Sequence, residues 1–309
     1  MRCSDHAGTV RHAPIKIGRS GISAIPQRRD LTADFSALFA DSIRLPKRIE
    51  ELRNAYRNAL PFPHVVIDGL FSPPILEPLL TEMAGMAKKQ WLLVDTASRE
   101  RMRRMRSGVE LGAAGLQLVG LLHSASFLYL MSEITGVWQL LPDPYLQGGG
   151  YADMQPGDFF NVHSDRNIAY ETGLTRRLAM IVFLNKSWDP KYNGQLELWN
   201  HEATRCDVSI DPLYNRTVIF EVANPNYHGV PAPIACPADR SRQSFIVYYH
   251  TVGIDGKLDV TPHTSVFAPN FYRAERKLRS FAREITPPLL LKAARKLATL
   301  WKTTATRSR

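Results

Sequence analysis

The sequence predicts an α+β protein: a double-stranded β-helix (jelly roll) core with N-terminal helices packed on it and a helical basic C-terminal extension. Three observations predict it. Helical spacing of apolar residues is concentrated between residues 46 and 135. After Gly148-Gly149-Gly150 the pattern changes to short alternating or aromatic-rich runs, separated by Gly, Pro, Asn and Asp turns. Basic residues then collect at the end: from Pro262 to Arg309 eleven Lys/Arg stand against two acids.

Residues 1–45 show no sustained period and are expected to form a flexible basic leader. Residues 46–58 predict a helix with Pro46 in its first turn and Ile49, Leu52 and Tyr56 on one face. Pro61-Phe62-Pro63 breaks it, and 64–68 reads as a short strand. Ser72-Pro73-Pro74 opens a second helix that runs to about Lys88, with Pro78 a potential kink. Five arginines between Arg99 and Arg106 read as a solvated helix face, with contact to an acidic substrate as the alternative. The apolar stretch 111–135 predicts two helices broken near His123-Ser124, with Gly136 as the C-terminal cap. Strands are predicted at 150–155, 159–163, 177–184, 195–199, 207–210, 217–221 and 244–250. That many short strands at this spacing argue for a double-sheet jelly roll spanning about residues 145–252, within a domain of residues 46–261. Two further helices are predicted at 272–285 and 289–302; the second carries a stripe of Leu290, Ala294, Leu297 and Trp301 beside basic residues. Such a helix can pack on its own domain or lie on an anionic membrane surface.

Charge excludes one reading. The net charge of +10 belongs to the ends: residues 1–30 carry +4, residues 262–309 carry +9, and the body between them −3. A basic pI therefore does not make the body a nucleic-acid-binding domain. No run of about 18 apolar residues offers a membrane span. Three cysteines, Cys3, Cys206 and Cys236, fit neither a zinc motif nor a disulfide framework, so a reducing cytoplasm is the expected location.

The chemistry concentrates in His163-Ser164-Asp165, His228 and Arg242. Two imidazoles and one carboxylate form the donor set that holds Fe(II) on one face and leaves other positions open. His163 and Asp165 are two apart at the end of a strand, so both side chains reach the same face and Ser164 turns away. Arg242 and Ser244 alternate onto one face of the last core strand and together can bind a carboxylate by a charge-assisted fork plus a hydroxyl. Arg240, two residues earlier, is the alternative anchor. His64, His123, His201 and His250 read as structural histidines.

These residues carry a resemblance. Pro61-Phe62-Pro63-His64-Val65-Val66-Ile67-Asp68, Gly148-Gly149-Gly150, His163-Ser164-Asp165, Gly194-Gln195-Leu196-Glu197-Leu198-Trp199, His228-Gly229-Val230-Pro231 and the run from Arg242 to Tyr249 occur in order. In this the chain resembles the prolyl 4-hydroxylase-like branch of the Fe(II)/2-oxoglutarate-dependent oxygenases, over roughly residues 60–253. The resemblance implies that His163, Asp165 and His228 bind iron and that Arg242, assisted by Ser244, binds the distal carboxylate of 2-oxoglutarate. Phe183 stands where the family often has a tyrosine that contacts the cosubstrate; Tyr151 is the candidate substitute. The implied cofactors are Fe(II), 2-oxoglutarate and O2, with ascorbate as a candidate reductant. The implied reaction hydroxylates an unactivated C–H bond of a prolyl or other amino-acid side chain, or of a small metabolite, and releases succinate and CO2. Related halogenases leave the carboxylate position vacant for chloride, so Asp165 favours hydroxylation. Two other classes compete: a non-catalytic jelly-roll binding module, against which Arg242 and Ser244 argue, and a protein that acts on a membrane or nucleic-acid surface through its basic ends.

Overall fold

In the computed structural model, which describes residues 46–96, 99–106, 110–253 and 261–269, thirteen strands make one curled antiparallel sheet with four α-helices on its outer face. Helix α1 is Pro46–Asn58, with Leu52 and Tyr56 buried as their spacing predicts. Strand β1 is His64–Asp68. Helix α2, Pro73–Gly85, begins with prolines in its first turn and tolerates Pro78; it stops before Lys88, where a single 3-10 turn, Lys88–Gln90, takes over. The arginine-rich segment is no helix: β2 (Trp91–Thr96) and β3 (Glu100–Met105) pair as an antiparallel hairpin. Helices α3 (Ala113–Leu122) and α4 (Ala125–Thr135) break at Ser124, whose hydroxyl accepts from the Phe127 N–H, and Gly136 closes α4 at φ 76°.

The N-terminus of α3 is capped from another helix. Gly112 has no side chain to offer, and Glu82 of α2 supplies a carboxylate that accepts from the N–H groups of Gly112 (2.9 Å) and Ala114 (2.8 Å). This meets both the orphan donors and the positive end of the helix dipole. Glu82→Ala should therefore lower folding stability by about 2 kcal/mol, read as a lower urea midpoint at unchanged slope; an unchanged midpoint would show that water caps α3 equally well.

The remaining strands are β4 (Leu141–Pro142), β5 (Gly150–Met154), β6 (Phe159–Ser164), β7 (Thr175–Phe183), β8 (Leu196–Trp199), β9 (Cys206–Ile210), β10 (Arg216–Glu221), β11 (His228–Val230), β12 (Arg242–Thr251) and β13 (Val266–Phe267). Their order is β1-β10-β7-β12-β5-β3-β6-β11-β8-β9, with β2 on β3, β4 on β12 and β13 on β6. Period-two alternation separates two cores. Leu178, Met180 and Val182 of β7, with Phe245, Val247 and Tyr249 of β12, face the helices and meet Leu76, Leu79, Leu118 and Phe127. Ala179, Ile181, Phe183 and Tyr248 point the other way and meet Leu196, Leu198 and Ile210 of β8 and β9. The sheet thus curls over its own inner face, the jelly-roll arrangement expected from the strand spacing.

Strand β13 lies beyond residue 261, yet it pairs with β6, Phe267 opposite His163. The segment just after that boundary therefore packs on the core. The leader 1–45 and the tail helices 272–285 and 289–302 lie outside the described residues. Among the described residues no single helix is long and apolar enough to cross a membrane.

Candidate active site

His163 sits near the end of β6 and Asp165 just past it, so the two side chains leave the same face. Ser164 turns away and donates to the Ala223 carbonyl (2.9 Å). His228 arrives on β11, a three-residue strand that pairs antiparallel to β6 with His228 directly opposite His163. That close pairing needs Gly229: a Cβ there would stand 2.8 Å from the Phe160 carbonyl oxygen. One donor atom from each of His163, Asp165 and His228 lies within 4.8 Å of the others.

Both rings are oriented by their far nitrogens. His163 Nδ1 is 2.8 Å from the Asn161 carbonyl and His228 Nδ1 is 3.2 Å from that of Asn226, so each Nδ1–H donates to backbone and each Nε2 is left bare. The bare atoms converge on the carboxylate, at 3.4 Å from His163 Nε2 to Asp165 Oδ1 and 3.7 Å from His228 Nε2 to Oδ2. His163 Nε2 is buried with no hydrogen-bond partner. Burial, with neighbouring His163, lowers the His228 pKa to about 4 against the pull of Asp165, so its imidazole is neutral near pH 7. Burial pushes the Asp165 carboxyl up, but His163, His228 and Arg176 outweigh it and hold the group ionised. Two imidazoles and one carboxylate, with a buried orphan nitrogen between them, fit a divalent metal such as Fe(II). Aromatic rings wall the imidazoles: Phe160 stacks on His163 at 3.9 Å between centroids, and Phe220 lies 4.6 Å from His228.

The three residues line a cavity of about 200 Å³ enclosed by the curl of the sheet. Arg242 and Ser244 line it as well. Arg242 is 5% exposed, has no carboxylate within ion-pair distance among the described residues, and lies over the Phe183 ring at 5.0 Å. Its Nε donates to the Gly194 carbonyl (2.6 Å), and Gly194 is where a Cβ would meet the Arg242 side chain at 2.9 Å. Burial lowers its pKa to about 10, which leaves it charged near neutrality. Ser244 Oγ is buried without a partner. A desolvated guanidinium and an unsatisfied hydroxyl on one wall are what a carboxylate would satisfy. Arg240 is elsewhere: it donates to the Lys186 carbonyl, packs over Tyr192 and does not line the cavity.

Tyr151 must be corrected. It lies on β5 opposite Phe245, on the face that packs against the helices, and its hydroxyl donates to Glu82 Oε1 (3.1 Å). Its neighbours Ala152 and Met154 line the cavity instead, since side chains alternate along the strand. Tyr151 therefore cannot replace the hydroxyl missing at Phe183. His64, His123, His201 and His250 are also absent from the cavity wall.

Arg104 and Arg176 also line the cavity, which for Arg104 agrees with the alternative reading of its segment as a substrate contact. Arg104 comes from β3, which alternation and charge disguised as a helix face. Arg176 is 2% exposed although simple alternation from Ala179 would turn Arg177 inward. A β-bulge explains it: the β7–β12 register shifts between Tyr249/Leu178 and His250/Arg176, so Arg177 is the extra residue and Arg176 takes the inner face.

A jelly roll enclosing a two-histidine, one-carboxylate cluster is the site of a non-haem iron oxygenase. Residues 149–250 match the family model of the 2OG-Fe(II) oxygenase superfamily. Members of that superfamily use Fe(II), 2-oxoglutarate and O2. Solved structures similar to this chain include a Pseudomonas putida prolyl-4-hydroxylase, at 17% identity over 65% of this chain and 98% of that one, TM-score 0.45. A prolyl hydroxylase from Trichoplax adhaerens, in complex with a hypoxia inducible factor oxygen degradation domain peptide fragment, gives 18% identity over 66% and 91%, TM-score 0.47. The epimerase SnoN from nogalamycin biosynthesis gives 13% identity over 71% and 96%, TM-score 0.47. No curated protein matches the chain.

Proposed function

We propose that the protein hydroxylates an unactivated C–H bond of a small-molecule or peptidyl substrate, in the manner of the prolyl 4-hydroxylase-like branch, converting 2-oxoglutarate and O2 to succinate and CO2. The observation that supports this reading best is the convergence on one cavity of the His163–Asp165–His228 cluster and a buried guanidinium that has no carboxylate partner among the described residues. In this reading His163, Asp165 and His228 hold Fe(II), and Arg242 with Ser244 holds the distal carboxylate of 2-oxoglutarate. Iron bound there would supply the oxidising chemistry. The chain supplies the rest. The Asn161 and Asn226 carbonyls fix the imidazoles, Arg242 sets the direction of the cosubstrate, and Phe160, Phe220 and Phe267 keep bulk water from His163 and His228. Asp165 occupies the position a halide would need, which favours hydroxylation.

The test is a mass-spectrometric search of a native lysate for oxygen-insertion products, with purified protein and Fe(II), with and without 2-oxoglutarate. A product heavier by one oxygen, formed only with 2-oxoglutarate and matched by succinate, is expected. Succinate without any oxygenated product from any fraction, or a product that forms without 2-oxoglutarate, would argue for another reaction.

A further inference from the structure

The cavity holds more positive charge than the proposed cosubstrate can use. Besides Arg242, the guanidiniums of Arg104, Arg166 and Arg176 line it, against the carboxylates of Glu100 and Asp165. Fe(II) and the 2-oxoglutarate dianion cancel each other in formal charge. The loaded site would therefore keep an excess of two positive charges, and one of the added cations, Arg176, is buried, where unpaired charge is unfavourable.

Arg176 is the most buried of these added cations. Arg176 stacks on the Tyr248 ring, with its guanidinium carbon 3.6 Å from the centroid. Tyr248 is six residues beyond Arg242 on β12, about 20 Å along the strand backbone. Arg176 is almost wholly buried, donates one nitrogen to the Gln147 carbonyl (2.9 Å), and keeps a buried Nε with no partner. Among the described residues no carboxylate lies within ion-pair distance of it. Burial raises the pKa of the Tyr248 hydroxyl, Asp165 adds to the rise, and Arg176, Arg104 and Arg166 oppose it, so all three cations and the proposed ligand Asp165 act on one hydroxyl. Arg104 contacts Glu100 at 3.3 Å, and Arg166 lies over Tyr170 at 5.1 Å. A structural arginine would be satisfied by its surroundings; Arg176 lines the cavity together with Asp165 and keeps an unpartnered Nε.

We propose that the prime substrate is itself an acid, whose carboxylate or phosphate is bound by Arg176, beside Tyr248, with Arg104 and Arg166 lining the same cavity. This rests on the function proposed above, since it takes Arg242 to be filled by 2-oxoglutarate. A guanidinium fork suits either oxyanion, and a group held there would bring a nearby C–H bond of the same molecule toward Asp165.

The test uses the full-length protein loaded anaerobically with Fe(II) and saturated with 2-oxoglutarate, whose binding is followed by its metal-to-ligand absorption band. Inorganic phosphate and acetate are then titrated calorimetrically, with acetamide as the neutral counterpart of acetate. Saturable binding of phosphate or acetate, without loss of the band and without comparable binding of acetamide, is expected. Arg176→Gln should weaken it at least about tenfold, while the band is retained. Arg104→Gln, on a hairpin strand, should weaken it severalfold and serves where Arg176→Gln does not fold. Binding that only displaces 2-oxoglutarate, that is equal in wild type and both variants, or that acetamide matches would overturn the proposal. Failure of the band to form before any anion is added would overturn the function proposed above, and this inference with it.

Discussion

Asp165→Ala is expected to lower Fe(II) affinity by more than about 100-fold and to abolish turnover. Loss of an outer partner of a metal-binding histidine already lowers metal affinity about 10–100-fold, and Asp165 is proposed as a direct ligand. The geometry makes it the centre of the cluster: its two oxygens face one Nε2 each, at 3.4 and 3.7 Å. Among the described residues no other carboxylate joins the ligand cluster. Glu100 lines the cavity but already meets Arg104. His163→Ala should behave alike, because His228 alone with Asp165 leaves too few donors. Circular dichroism should stay native for both variants, since the core packing of β7 and β12 does not involve these side chains. Iron titration and succinate release measure the effect; full succinate production by either purified variant would remove the ligand assignment.

The second large effect concerns the cosubstrate. Arg242→Ala should raise the 2-oxoglutarate concentration needed for half-maximal turnover by about 30- to 3000-fold, because truncating one partner of a buried charge pair costs about 2–5 kcal/mol. Arg240→Ala should change it by less than about twofold, since Arg240 does not line the cavity and donates instead to the Lys186 carbonyl. Arg242→Lys keeps the charge but loses the fork and the overlap with Phe183, so an intermediate value is expected. Steady-state kinetics at varied 2-oxoglutarate decide it. A larger effect at Arg240 would move the anchor out of the cavity.

How far the sequence reaches is shown by these same residues. Helix α1 has the predicted bounds because Pro46 starts it and Leu52 and Tyr56 fall on one helical stripe. The break between α3 and α4 was legible because Ser124 is a good cap and Gly136 a good stop. His163 and Asp165 could be placed together because period two is local. What was hidden depends on register between distant segments. β11 is too short to show a period, and it exists because Gly229 lets it approach β6. Tyr151 has the chemistry of a cosubstrate contact, but pairing with Phe245 assigns it to the helix face. Arg176 rather than Arg177 points inward because of one extra residue in β7, and nothing in the string Thr175-Arg176-Arg177-Leu178 marks a bulge. β3 looked like a helix face because Arg101 and Arg103 find acids outside it, Asp158 and Asp153, on other segments.

The most direct test of the central claim is anaerobic absorption spectroscopy of the purified protein titrated with Fe(II) and then with 2-oxoglutarate. A metal-to-ligand charge-transfer band that requires both additions, disappears in His163→Ala and Asp165→Ala, and needs far more 2-oxoglutarate in Arg242→Ala is the predicted result. A protein that binds 2-oxoglutarate equally well without iron, or that gives the same band in the ligand variants, would contradict the account.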